Sequence, residues 1–181
     1  MGLLRSDLAK FAADSELPES MGRARAIKIA LLGASNPGIY AIVLYRFAAA
    51  LRRRDLLVLA AIVSLINVFL TGADIDQRAI IGPGLRVHHP VGVVIHGDAR
   101  LGARATLFSD VVIGQRGPGH TGAPVIGDDL LAGTGAKVLG SVTIGDRVSI
   151  GANAVVLGDV PDDHRAVGVP ARSIPAPPVG P

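Results

Sequence analysis

The 181-residue sequence contains no cysteine, so it has no disulfide framework, no thiolate metal site and no cysteine nucleophile. Aromatic side chains are scarce, with four phenylalanines, two tyrosines and no tryptophan. Since no recognised reading motif accompanies the basic residues, that scarcity argues against nucleic acid as a partner. A secretory signal is also lacking, because Met1 to Ser20 is polar and mixed in charge, and the expected compartment is the cytoplasm. No apolar run reaches the roughly eighteen to twenty residues needed to span a bilayer. The longest, Leu56 to Leu70, is interrupted by Ser64 and Asn67. It is expected as a helix buried against its neighbours or at a subunit interface, with shallow membrane association as the alternative.

Charge of one sign is not in large excess, but the net +3 is unevenly spread. Residues 1 to 70 carry nine Lys and Arg against five Asp and Glu, whereas residues 71 to 181 carry nine against ten. The surplus lies in Arg23, Arg25, Lys28, Arg46 and the run Arg52-Arg53-Arg54. These read either as solvated helix faces or as a peripheral membrane contact with anionic headgroups.

What the sequence does have is a period of six. An aliphatic or small residue returns at Ile126, Ala132, Val138, Ile144, Ile150 and Val156, and a second slot is filled by Leu130, Ala136, Val142, Val148, Ala154 and Val160. Upstream the rule runs through Ile75, Ile81, Val87 and Val93, then through Ile95, Leu101, Leu107 and Ile113. A helix repeats near 3.6 and a strand near 2, so six means short strands stacked as rungs of a parallel β-helix. Glycine after many anchors lets the chain turn a corner and lets rungs approach closely. The rule breaks twice, after Val93 and between Gln115 and Pro124, and insertions in solenoids leave as loops on one face.

Before the repeats, helices are expected over Ala26 to Gly33, Ile39 to Leu51 and Leu56 to Leu70, with Ser35-Asn36-Pro37-Gly38 as a helix break. The organisation is thus a helical region over 1–71, the β-helix over 72–165 and a proline-rich cap and loose tail over 166–181.

Of the five histidines, His88, His89 and His120 fall at the breaks in the repeat, whereas His96 and His164 do not. An imidazole beside a loop can take a proton from a hydroxyl, which makes His89 the candidate general base. Asp74 is the candidate partner that would fix its tautomer, since it precedes His89 by slightly less than one coil of three hexads. Asp76, Asp98 and Asp110 compete for that place. A zinc site built from one of His88 and His89 with His96 and His120 is the alternative chemistry. A coil that has lost catalysis is the non-enzymatic one.

These blocks together resemble one family. Asp74, the stretch Gly84-Leu85-Arg86-Val87-His88-His89-Pro90-Val91-Gly92-Val93-Val94-Ile95, the loop ending Ala123-Pro124-Val125-Ile126-Gly127, the segment Gly133-Thr134-Gly135-Ala136-Lys137-Val138-Leu139-Gly140 and Gly168-Val169-Pro170-Ala171-Arg172 resemble the serine acetyltransferase branch of the left-handed β-helix, hexapeptide-repeat acyltransferases. The resemblance implies a homotrimer with acetyl-CoA as cosubstrate, held in a groove between neighbouring coils near Gly133, Thr134, Ala152 and Arg172, and no metal. It also implies a ternary complex in which His89, paired with Asp74, deprotonates the acceptor hydroxyl.

Such enzymes generally carry aspartate just before the base and an Arg-His pair in the loop. Here those positions read His88 and Gly117-Pro118-Gly119-His120-Thr121-Gly122-Ala123, so His88 and His120 are the candidate substrate-binding residues. Serine or a serine-like amino acid is the expected acceptor. A sugar hydroxyl, as in the colanic-acid-type polysaccharide acetyltransferases, is the alternative. The sequence ends Val179-Gly180-Pro181, without the terminal isoleucine used to engage a sulfhydrylase, so a cysteine synthase complex is not expected.

Overall fold

The period of six closes into a three-sided coil in the computed structural model, which describes residues 2–14, 35–119 and 121–177. Face A stacks Asp74–Ile75, Val94–Ile95, Val112–Gly114, Lys137–Leu139 and Val155–Val156. Face B stacks Ile80–Ile81, Arg100–Leu101, Val125–Ile126 and Thr143–Ile144. Face C stacks Arg86–Val87, Thr106–Leu107, Leu131–Ala132 and Ser149–Ile150, and a hairpin of His164–Gly168 and Ala171–Pro175 extends it. Every pairing is parallel except that hairpin, which lies in the region read as cap and tail. Strands this short hold only by stacking, each rung bonding to the next.

The anchors of the repeat fill the interior, from Ile75 through Ile113 and from Ile126 through Val156, and all are buried. Register shows where the repeat is interrupted. Asp74 stacks on Val94, Val94 on Val112, Val112 on Lys137 and Lys137 on Val155. The first step is lengthened by the corner after His88, and the third by the loop from Gln115 to Pro124.

One column of glycines is required by close approach. A Cβ on Gly102 would lie 2.6 Å from the Gly127 backbone and 2.4 Å from Asp128 Oδ1. A Cβ on Gly127 would meet Asp146 Oδ1 at 2.2 Å, and one on Gly145 would meet Asp162 Oδ1 at 2.1 Å. The carboxylates in that space accept backbone N–H bonds across the corner, Ala103 to Asp128 at 2.7 Å, Asp128 to Asp146 at 2.7 Å and Asp146 to Asp162 at 2.9 Å. Glycine in one coil makes room for aspartate in the next.

Three helices are described before the coil: α1 (Leu3–Ala13), α2 (Pro37–Arg52) and α3 (Leu57–Thr71). The helix expected over Ala26 to Gly33 lies outside the described residues. Asn36 caps α2 by accepting the Gly38 N–H at 2.9 Å, with Pro37 at the first position where a missing donor costs nothing. On the same helix, Tyr45 Oη donates to the Ala79 carbonyl at 2.8 Å, which seats α2 on the first coil.

Two features of this region go beyond the sequence reading or narrow it to one of its alternatives. The stretch Met1 to Ser20 reads as polar, yet it contains α1, whose Asp7 is buried. The apolar helix α3 is not buried within the chain. Its inward positions are Ala60, Asn67 and Thr71, while Val58, Phe69 and Leu70 are 74%, 80% and 71% exposed. Asn67 faces inward because α2 offers a carbonyl there: its Nδ2 donates to Ala41 O at 3.1 Å, and Thr71 Oγ1 donates to Asn67 Oδ1 at 2.9 Å. Ser64 Oγ is buried near the same seam without a hydrogen-bond partner among the described residues. Among the described residues no helix is long and apolar enough to cross a membrane.

Candidate active site

The edge where face C turns into face A carries most of the residues singled out by the sequence. Gly72, Gly92, Asp110, Gly135 and Asn153 follow one another up this edge, all in the left-handed region of φ. Successive turns are bonded, Gly92 N to Gly72 O at 3.0 Å, Asp110 N to Val91 O at 3.0 Å, Gly135 N to Ser109 O at 2.9 Å and Asn153 N to Thr134 O at 2.8 Å. His89, also at positive φ and exposed, stands on the lowest turn. Gly133 and Ala152 belong to two higher turns, and a Cβ on Gly133 would lie 2.9 Å from the Ala152 nitrogen. The turn of the closing hairpin, between Gly168 and Ala171, overhangs the same edge and exposes Arg172.

Asp74 begins the first strand of face A, next to this edge, with its side chain outward. The first coil is longer than three hexads, so Val94 stacks over Asp74 and His89 remains on the preceding edge. Within the chain the two side chains make no hydrogen bond. Asp74 opens onto a cleft between α3 and face A, lined also by Arg52, Ser64, Asp76, Gln77 and Arg78. His89 opens onto a second cleft shared with Phe11, Ser35, Asn36, Pro37, Arg86 and His88.

The neighbours of His89 are tightly organised. His88 stacks on Phe108, with ring centroids 4.8 Å apart and planes within 9°. Arg86 Nε donates to His88 Nε2 at 2.7 Å, its Nη1 meets Asp14 Oδ2 at 2.6 Å, and its guanidinium lies over the Phe11 ring. Burial first, then the charges of Arg86 and His89, lower the pKa of His88 below its ordinary value. Sequence reading missed Arg86, although Arg86 and His88 are two apart and therefore share one side of an extended segment. It also missed Arg116, whose Nη2 donates to Leu157 O at 2.8 Å and fastens the start of the extruded loop.

The remaining histidines are scattered. His96 lies at the edge between faces A and B, where its Nδ1 accepts the Asp98 N–H at 3.2 Å, and His164 contacts the Asp162 carbonyl oxygen at the edge between B and C. His96 is on a different edge from His88 and His89, so a single chain does not bring these histidines of the zinc reading together. Among the described residues no three metal-ligating side chains come together. His120 itself lies outside the described residues, but its loop leaves from the edge between faces A and B, connecting Val112–Gly114 to Val125–Ile126.

Comparison with known proteins gives a consistent result. The bacterial transferase hexapeptide family (six repeats) matches over residues 123–158. The serine acetyltransferase of Bacillus pumilus is 43% identical over 141 residues, covering 76% of this chain and 64% of that protein. The serine acetyltransferase of Helicobacter pylori (strain J99) is 42% identical over 142 residues, covering 76% of this chain and 81% of that protein. Among solved structures, the Neisseria gonorrhoeae serine acetyltransferase in complex with serine superposes with a TM-score of 0.83 at 28% identity, covering 95% of this chain and 67% of that one. A serine acetyltransferase in complex with CoA gives 0.81 at 26% identity, covering 95% and 68%. The chain thus spans somewhat less than two thirds of the length of the Bacillus relative.

Proposed function

The chain belongs to the serine acetyltransferase family of left-handed parallel β-helix proteins, and from that membership we propose that it is an acetyl-CoA-dependent O-acetyltransferase acting on the hydroxyl of L-serine or a serine-like amino acid. The observation that carries this reading is the common edge. His89 stands at its foot, and Gly133, Thr134, Ala152 and Arg172, the positions assigned to acetyl-CoA, lie above it. A long, narrow thioester substrate laid along successive turns would bring its acyl end down toward His89.

In the proposed reaction His89 accepts the proton of the acceptor hydroxyl as its oxygen attacks the thioester carbonyl. The C–S bond then breaks, and the sulfur of the departing CoA takes up that proton. No covalent enzyme intermediate is needed. Asp74 acts as the positioning partner of His89, holding the tautomer and stabilising the imidazolium. Within one chain the two open onto separate clefts, so the pairing rests on the resemblance of the Asp74 and His89 blocks to those of the family.

A site that used both His89 and the loop bearing His120 would need two copies of the chain, because these lie on different edges. The outward positions of face A read Asp74, Val94, Val112, Lys137 and Val155, a column that is apolar at three of its five rungs. A homotrimer that buried this surface would bring the loop of one copy to the His89 edge of the next.

The test is thiol release from acetyl-CoA with L-serine, comparing the purified protein with His89→Ala. Loss of about a hundredfold or more in turnover is expected if His89 is the base. A near-normal rate in the variant rejects the assignment.

A further inference from the structure

The helix α3 is seated on the rest of the chain by its least apolar side. Ala60, Asn67 and Thr71 face inward, and Asn67 is held there by the Ala41 carbonyl. At 3.6 residues per turn the opposite side carries Val58, Ile62, Leu65 and Phe69, and all four are exposed. A helix on the surface of a globular protein normally turns such a stripe to the core. Here the stripe points outward, and no charged residue interrupts the stretch from Leu56 to Ala73.

The charges gather at one end of the helix. Between Pro37 and Ala73 the only acidic residue is Asp55, against Arg46, Arg52, Arg53 and Arg54. Arg46 is paired with Asp7, and Arg52 lines the cleft that also holds Asp74 and Asp76. Arg53 and Arg54 are exposed in the turn between α2 and α3, and their side chains make no ion pair or hydrogen bond among the described residues. Arg53 also borders a shallow groove with Leu3, Leu4 and Phe47, so apolar surface adjoins the arginines on α1 and α2 as well as on α3.

We infer that the outer face of α3, together with Arg53 and Arg54, docks the protein on the anionic surface of a lipid bilayer, with the helix lying in the plane of the interface. Its 15 residues rise only about 22 Å against a hydrocarbon core of roughly 30 Å, so the helix rests on the bilayer and does not cross it. Acyl chains take up the stripe, and lipid phosphates supply the counter-charge that the chain lacks at this end. A second copy of the chain meets only the first need, because it brings the same arginines and no acid beyond Asp55. Phe69 and Leu70 end the stripe just before Gly72, whose carbonyl accepts the Gly92 N–H at the foot of the edge that carries His89. Docking by α3 would therefore hold that foot close to the lipid surface.

The chain has no tryptophan, so Phe69→Trp places a single fluorescent reporter on the stripe. The full chain bearing it is mixed with vesicles of phosphatidylcholine alone, or of phosphatidylcholine with about one third phosphatidylglycerol. A blue shift of the emission and co-sedimentation are expected with the anionic vesicles, both weakened by added salt. In that background Arg53→Gln with Arg54→Gln should lower the partition coefficient about tenfold or more, whereas Arg53→Lys with Arg54→Lys should preserve it. Val58→Asp with Ile62→Asp should lower it by a similar factor, and a thermal melt checks that each variant is folded.

No blue shift with anionic vesicles overturns the inference. Sedimentation without a blue shift overturns it as well, since another segment would then be holding the lipid. So does a parent protein that ignores vesicles but falls to a smaller mass by light scattering when Val58 and Ile62 become aspartate, which assigns the face to a second copy. Vesicle binding is read without acetyl-CoA, so its result stands apart from that of the thiol-release assay.

Discussion

Asp7 on α1 and Arg46 on α2 form a buried ion pair in which both side chains also bind the first coil. Asp7 Oδ2 meets Arg46 Nε at 2.8 Å, and Asp7 Oδ1 accepts the Leu85 N–H at 2.8 Å. Arg46 donates in addition to the carbonyls of Ile81 and Gly82 at 2.7 and 2.6 Å. Removing one partner leaves a buried charge uncompensated, so Asp7→Ala and Arg46→Ala should each cost about 3–5 kcal/mol. Urea unfolding measures this, and a loss below about 1 kcal/mol for both would show that the helices are held by other contacts.

The glycine column makes a second prediction. Gly102→Ala forces a methyl against the Gly127 backbone, which cannot swing away as a flexible side chain would. Overpacking of this kind costs roughly 1–3 kcal/mol. Gly158→Ala, where nothing lies within 4 Å of the added carbon, serves as the control and should leave the melting temperature nearly unchanged.

Asp74→Asn should lower turnover less than His89→Ala does, because the base survives and only its orientation and charge support are lost. The pH profile of kcat/KM should move with it, since in the proposed reaction the carboxylate supports the charge that His89 gains. An unchanged profile and rate would remove Asp74 from the proposed dyad.

If the site is shared between copies, co-expressed His89→Ala and His120→Ala chains should regain activity that neither variant has alone. A mixed assembly contains a site with an intact histidine from each. Equal, uncomplemented loss would place both residues in the same copy.

Stability should also respond to His88. Its native pKa is held below the ordinary 6.5 by burial and by Arg86 and His89, so the unfolded chain takes up this proton first as pH falls. The folded state therefore loses stability from about pH 6.5 down through the depressed native value, and regains it as pH rises. His88→Asn should abolish that component of the urea midpoint between pH 7.5 and 5. Asp76 acts in the same direction at lower pH: burial raises its pKa, but the hydrogen bonds and charge of Arg78 outweigh this and hold it below 3.8.

The coil was legible because each inward side chain repeats at a fixed interval, and Ile126 through Val156 are buried as their spacing requires. The helices were less so. Asp7 looks like a surface charge until Arg46 and the Leu85 N–H are beside it, and those partners lie far away in sequence. The polar residues of α3 looked like interruptions of a buried helix and are instead its inward anchors. At the site, what singles out His89 in the sequence is its place at a break in the repeat. Arg86 was not, because its meaning depends on a ring stacked upon Phe108 one coil away.

The closing hairpin bears on more than the Arg172 position. Ala171–Pro175 runs antiparallel along His164–Gly168, the last parallel rung of face C. A rung left bare there would present unpaired N–H and C=O groups in the geometry that a further coil of another molecule could continue. The reversed strand occupies that row, and at the other end α1 and α2 sit on the first coil. A solenoid stoppered in this way is protected from growing end to end into fibres, and its copies are left to meet along their sides.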